Sequence, residues 1–204
     1  MSNSVNHVKF APHVEGVLPV FLQRWSARAY SEQPVSDADL KKIFEAARWS
    51  PSAFNEQPWR FIVGVRGTET HARLAEALMG FNQAWAPKAP VLILGVAKAK
   101  FSHNNAANNY ALYDLGAATA AMVTQAAALG LTAHQMAGFD HDAARKALGI
   151  PEDYVLGVIA ALGYPGTASV LGDEKLIALE SAPRSRKALD EIVQTAWGES
   201  AKLG

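Results

Sequence analysis

The sequence predicts an α/β fold, a mixed sheet packed by helices. Three observations carry this reading. The strand-like apolar runs are few, stretches with helical spacing separate them, and no internal repeat or low-complexity block interrupts the 204 residues. A chain of this length can bury one full hydrophobic core, with or without appended arms.

The elements follow in chain order. Val17–Leu22 begins a helix that leads into the basic stretch Arg24-Trp25-Ser26-Ala27-Arg28. Ser36 is placed to cap a second helix, with Asp39 three residues on, and Leu40, Ile43, Phe44 and Ala47 recur at helical spacing. Pro51 stops that helix, and Ser50–Pro58 reads as a loop of small and polar residues. Arg60–Val65 is a short β-branched run and reads as a strand, and Thr70–Met79 reads as a helix. Val91–Val96 is continuously apolar after Pro90, the pattern of a buried strand. Phe101–Asn109, with four Asn, reads as a surface loop.

The longest predicted helix, Tyr110–Leu129, is closed by Gly130. Gly116, Ala117, Ala118, Ala120 and Ala121 leave it little bulk, so another backbone can approach closely at a domain centre or a dimer. Leu131–Phe139 reads as a short connection, extended in part. Asp140 caps the next helix, which Gly149 and Pro151 end, and Val155–Leu162 is a second apolar strand. After Tyr164-Pro165-Gly166 the chain becomes more polar and carries Pro183-Arg184-Ser185-Arg186.

Composition excludes several classes. Lys plus Arg equals Asp plus Glu at 19 each, which gives no pull toward nucleic acid or a membrane surface, and neither is expected as a partner. With no Cys there are no disulfides, thiolate metal sites or thiol nucleophiles. That fits a reducing compartment, and a cytoplasmic protein is expected. No His pair at ligand spacing suggests a metal. Ala111–Leu131 is Ala-rich and holds Asp114, Thr119, Thr124 and Gln125, so it reads as a buried helix of a soluble protein. No Gly-x-Gly-x-x-Gly follows a strand, and no Gly-x-x-x-x-Gly-Lys-Ser/Thr is present, which argues against Rossmann and P-loop nucleotide sites.

The residues with chemical potential lie elsewhere. Arg24 and Arg28 share a face on a helix, and they share a side of an extended segment because their spacing is even. Arg184 and Arg186 repeat the theme near the other end. Guanidinium groups bind phosphate through paired, charge-assisted hydrogen bonds, yet each cluster alone also reads as solvated surface charge. Pro51–Trp59 carries Ser52, Asn55 and Gln57 between two stiffening prolines. Such groups suit a planar polar ring, and they equally suit an ordinary helix-to-strand connection. His134 has no evident partner and reads first as structural, second as a proton donor.

Taken in order, these motifs resemble the FMN-dependent nitroreductase family. Arg-x-Ser-x-Arg at Arg24–Arg28 is followed by Pro-Ser-x-x-Asn-x-Gln-Pro-Trp at Pro51–Trp59. Next come Asn82-Gln83-x-Trp85-Ala86, Tyr113-Asp114-x-Gly116-x-Ala118, Gln135-Met136-Ala137-Gly138-Phe139-Asp140, Leu162-Gly163-Tyr164-Pro165 and the late Arg-x-Arg. The resemblance spans about Phe21 to about Ile192. It implies an α+β fold with a mainly antiparallel sheet flanked by helices, a long central helix at a homodimer interface, and an extended C-terminal arm. The expected division is an N-terminal arm (1–20), an FMN-binding core (21–166) and a C-terminal arm (167–204) that completes the phosphate site.

The same resemblance implies a cofactor site. Arg24, Trp25, Ser26 and Arg28 would meet the FMN phosphate and the adjoining ring edge, and Arg184 and Arg186 would close on that phosphate. Pro51, Ser52, Ala53 and Asn55 would come from the partner subunit. Asn82 would lie near the flavin pyrimidine. Gln135, Met136, Ala137 and Gly138 would pass beside the ring, with a backbone N–H near N5. NADH or NADPH would supply hydride for a small acceptor such as a nitroaromatic, quinone or enone, in a ping-pong scheme that requires no catalytic side chain. Ala53 stands where many relatives have Ser, Ala137 where some have an acid, and Asp114 where some have Gln. A non-catalytic FMN-binding protein, or a flavin-fragmenting or dehalogenating relative, stays open beside the oxidoreductase.

Overall fold

A computed structural model describes residues 9–203. Of the expected N-terminal arm, residues 1–8 lie outside the described residues, as does Gly204.

Four strands form one sheet in the order β1-β2-β4-β3: β1 (Trp59–Val65), β2 (Val91–Lys98), β4 (Tyr154–Gly163) and β3 (Thr132–Met136). All three pairings are antiparallel, which fits the expected mainly antiparallel sheet. The central pair explains its own composition. β2 is buried from Val91 to Ala97 because helices cover both faces. On one face Leu92, Leu94 and Ile159 pack with residues of α3 (Glu69–Ala77), α5 (His141–Leu148) and α6 (Glu174–Ser181). On the other, Val91, Ile93 and Ala160 meet α2 (Asp37–Arg48) and α4 (Ala111–Ala128). No helix among the described residues is long and apolar enough to cross a membrane.

The predicted caps are present. Ser36 Oγ accepts the Asp39 N–H at 3.1 Å, and Asp140 Oδ1 accepts the Ala143 N–H at 2.9 Å. Thr68 caps α3, so that helix begins one residue earlier than its spacing predicts and ends two earlier, at Ala77. The small residues of α4 do permit close approach, but two glycines of the sheet share in it. A Cβ at Gly157 would lie 2.6 Å from a Leu115 methyl, and one at Gly95 would lie 3.1 Å away. Leu115 therefore nests where the sheet has no side chains.

Two expectations need correction in part. The stretch read as a short connection, extended in part, is extended over Thr132–Met136, where it forms the edge strand β3, paired with β4 from Thr132↔Gly163 to Met136↔Ile159. Its pattern is hidden because burial alternates irregularly at this edge. The C-terminal arm is not simply extended. It carries α6, the short α7 (Leu189–Ile192), and a small hairpin of β5 (Gln194–Ala196) and β6 (Glu199–Ser200).

Candidate active site

The site begins where α1 (Pro19–Gln23) ends. Arg24 is extended (φ −60°, ψ 127°), and the chain stays non-helical through Ala29. This resolves the two readings of the Arg-x-Ser-x-Arg stretch in favour of the extended one, where even spacing sets Arg24, Ser26 and Arg28 on one side.

That segment runs beside β3 without joining the sheet, so its backbone must find other partners. Side chains supply most of them. Thr132 Oγ1 donates to Trp25 O at 2.9 Å and accepts the Ala27 N–H at 3.4 Å. His134, two residues along the same strand face, places Nδ1 3.1 Å from Ala27 O, which Tyr30 also reaches with its hydroxyl at 3.2 Å. Arg184 donates Nη1 to Arg24 O at 2.6 Å and Nη2 to Leu22 O. Glu180 takes two more donors. Its carboxylate accepts the N–H of Arg28 at 2.9 and 3.1 Å and that of Ala29 at 2.9 Å.

The late arginines thus meet the early ones. Burial first, then the neighbouring Arg186, lowers the pKa of Arg24. Burial, then Arg24 and Arg186, does the same for Arg184. The Arg28 guanidinium lies 5.8 Å from the ring centroids of both Phe81 and Trp85, and its Nη1 is 3.9 Å from Glu180. Burial, then the charge of Arg28, pushes His134 down to about 4. His134 is therefore neutral at pH 7, donates from Nδ1 to Ala27, and packs on Trp85 at 4.6 Å. This is the structural role for His134. Trp25 is half-buried, with Lys9 Nζ 5.2 Å from its ring centroid.

A second group gathers at the far end of β3. Asn82 Nδ2 donates to Gly138 O at 3.2 Å, and a Cβ at position 138 would lie 2.9 Å from that nitrogen. Only a glycine leaves Asn82 this seat. Gln135, Ala137 and Gly138 are exposed, whereas Met136 sends its side chain into the core.

The third group is the loop after α2. Phe54, Asn55 and Gln57 all have positive φ (53°, 53° and 50°), an uncommon backbone for residues with side chains. Side chains within and around the loop help to hold it. The Ala53 N–H donates to buried Asp114 Oδ2 at 3.1 Å, the Gln57 N–H donates to Ser52 Oγ at 3.0 Å, and the Ser102 N–H donates to Glu56 at 2.9 Å. Asp114 is thus the loop's anchor. Phe54 is left 81% exposed, edge-on to Phe101, and Pro51 and Asn55 are exposed too. No hydrogen bond among the described residues joins this loop to the arginines.

Glu180, Thr132 and Asp114 are the organising groups. Glu180 had a readable signal: it stands four residues after Leu176, which puts a charge on the buried face of a helix. Thr132 had none, because its strand was not recognised.

The arginine cluster suits a phosphate. Several guanidinium groups crowd one place, and the buried Nε atoms of Arg28 and Arg184 have no partner among the described residues. A multi-oxygen anion both offsets the repulsion and accepts such donors.

Comparison with known proteins agrees with this chemistry. Residues 21–84 and 79–164 match the nitroreductase family. An Archaeoglobus fulgidus protein, provisionally named an NADH dehydrogenase/NAD(P)H nitroreductase, is 36% identical over 74% of this chain and 87% of its own. A Thermus thermophilus NADH dehydrogenase is 30% identical over 88% and 98%. Among solved structures, one described as an oxidoreductase containing FMN superposes with a TM-score of 0.84 at 33% identity, covering 96% of this chain and 97% of the other. A provisionally assigned nitroreductase from Desulfovibrio desulfuricans, solved in complex with FMN, gives 0.71 at 26% identity over 89% and 96%.

Proposed function

The chain belongs to the nitroreductase family, and on that premise we propose that it is an FMN-dependent oxidoreductase that moves hydride from NADH or NADPH to a small acceptor. The observation that supports this reading is the approach of Arg184 and Arg186 to Arg24, some 160 residues away, with the buried Nε of Arg184 lacking a partner among the described residues. FMN held there would supply hydride-transfer chemistry between the nicotinamide and a nitroaromatic, quinone or enone acceptor.

The chain's own residues do the rest. Arg24, Ser26, Arg28 and Arg186 bind the phosphate. Arg184 adds its charge while holding the Leu22–Arg24 backbone. Trp25 walls the cradle. Asn82 and the exposed backbone from Gln135 to Gly138 border the ring, and Met136 contributes main chain only, since its side chain is buried. The ring-facing loop of Pro51, Ser52, Ala53 and Asn55 serves the partner's flavin in a homodimer. The exposure of Phe54, Leu112 and Tyr113 on and beside α4 supports that arrangement. The division into an arm (1–20), a core (21–166) and a completing arm (167–204) follows from the same reading, and a cytoplasmic setting supplies the reduced nicotinamide.

The test is direct. Purified protein should carry the absorbance of bound flavin and oxidise NADH or NADPH with a quinone or nitroarene. Replacing both Arg24 and Arg186 with Ala should release FMN. Retention at unchanged affinity refutes the phosphate assignment, and bound flavin without turnover refutes the enzyme.

A further inference from the structure

Glu180 is an expensive residue where it stands. It is only 2% exposed, and it lies in the last turn of α6, where the helix dipole disfavours a negative charge. A buried carboxylate costs free energy unless donors satisfy it. Among its partners are the main-chain N–H groups of Arg28 and Ala29, reached across 152 and 151 residues of sequence, with the head groups of Arg28 and Lys9 near enough for their charges to act.

The partition of labour around the extended segment is informative. Glu180 accepts from its N–H groups, and Arg184, four residues on, donates to its C=O groups. An acceptor and a donor from the same arm thus fix opposite polarities of one strand. The amides need acceptors because the segment joins no strand, yet a neutral oxygen would answer them without the cost of burying a charge.

We propose that Glu180 is a positioning residue of the phosphate cradle: it fixes the Arg28–Ala29 main chain and so sets the Arg28 guanidinium for the FMN phosphate. The inference rests on the FMN reading above. Glu180 does not touch the cofactor. Being negative, it opposes phosphate binding through space, and it favours binding through geometry.

These effects have opposite signs, which makes them separable. Full-length protein freed of flavin would be titrated with FMN and with riboflavin, which has the ring and ribityl chain but no phosphate. The variants are Glu180→Gln, which keeps the size but removes the charge and turns one of the two accepting oxygens into a donor, and Glu180→Asp, which keeps the charge and withdraws it by one methylene. If Glu180 positions the cradle, both variants lose FMN affinity by about tenfold or more, the scale of one charge-assisted hydrogen bond. Riboflavin affinity then stays within about threefold. Tighter FMN binding by Glu180→Gln with Glu180→Asp unchanged shows a charge effect only and overturns the proposal. Equal losses for both ligands show a general structural role and overturn it too. If one variant does not fold, the ratio of the two affinities in the other decides. A wild-type protein that binds riboflavin as tightly as FMN refutes the phosphate reading itself, whereas a preference for FMN that both variants keep refutes only the role of Glu180.

Discussion

Acid should loosen this protein at His134, and the size of the effect follows from its surroundings. The ring is half-buried between Trp85 and the Arg-bearing segment, faces the charges of Arg28 and Arg24, and is pushed down to about 4 in the folded chain against an ordinary value of 6.5. The sign is then fixed. Between those values the unfolded chain binds a proton that the folded chain refuses, so stability rises with pH. The contribution is fully present above about pH 6.5 and is lost as pH falls toward 4, by about 3 kcal/mol in total. His134→Asn keeps a donor near the position of Nδ1 and does not titrate. Urea unfolding at a series of pH values between 7 and 4 measures the difference. The wild-type protein should lose more stability than the variant across that window, with the gap opening near pH 6.5. Parallel curves would refute the assigned burial of a neutral imidazole.

Two further outcomes are expected. Asp114→Ala leaves the Ala53 N–H without its acceptor in a loop already held at positive φ, and should cost about 1–3 kcal/mol by thermal or urea denaturation, whereas Asp114→Asn should cost less because it keeps an acceptor. Equal cost for the two would show that the hydrogen bond is not what matters there. If the Pro51–Asn55 loop serves the partner's flavin, dilution to monomer, followed by sedimentation with detection at the flavin absorbance, should release FMN. A monomer that retains it contradicts the shared site.

Much of the fold was readable because local signals and burial agree. Ser36 and Asp140 cap their helices as their spacing predicts, and the unbroken apolar run from Val91 is a central strand because both its faces are covered. β3 was obscured because it is an edge strand serving three masters: β4 on one side, the core through Met136, and the extended segment through Thr132 and His134. Its side chains answer to those contacts rather than to simple alternation. The helix α6 shows only a weak apolar stripe, because its buried face pairs Leu176 with the charged Glu180. The arginines were visible as residues but not as a site. Their meeting depends on where the arm folds back, and that is a tertiary fact. Conversely, the even spacing of Arg24, Ser26 and Arg28 mattered only once the segment proved extended.

The side-chain stitching of Leu22–Ala29 also orders events during synthesis. The segment leaves the ribosome more than 150 residues before the carboxylate and guanidinium that hold it. Until then its Arg28 and Ala29 amides can be answered only by water. The sheet and its helices can assemble around β2 and β4 without that closure, so the cradle is the latest part of the molecule to take shape. A nascent chain cut short before Glu180 would present arginines with no fixed geometry.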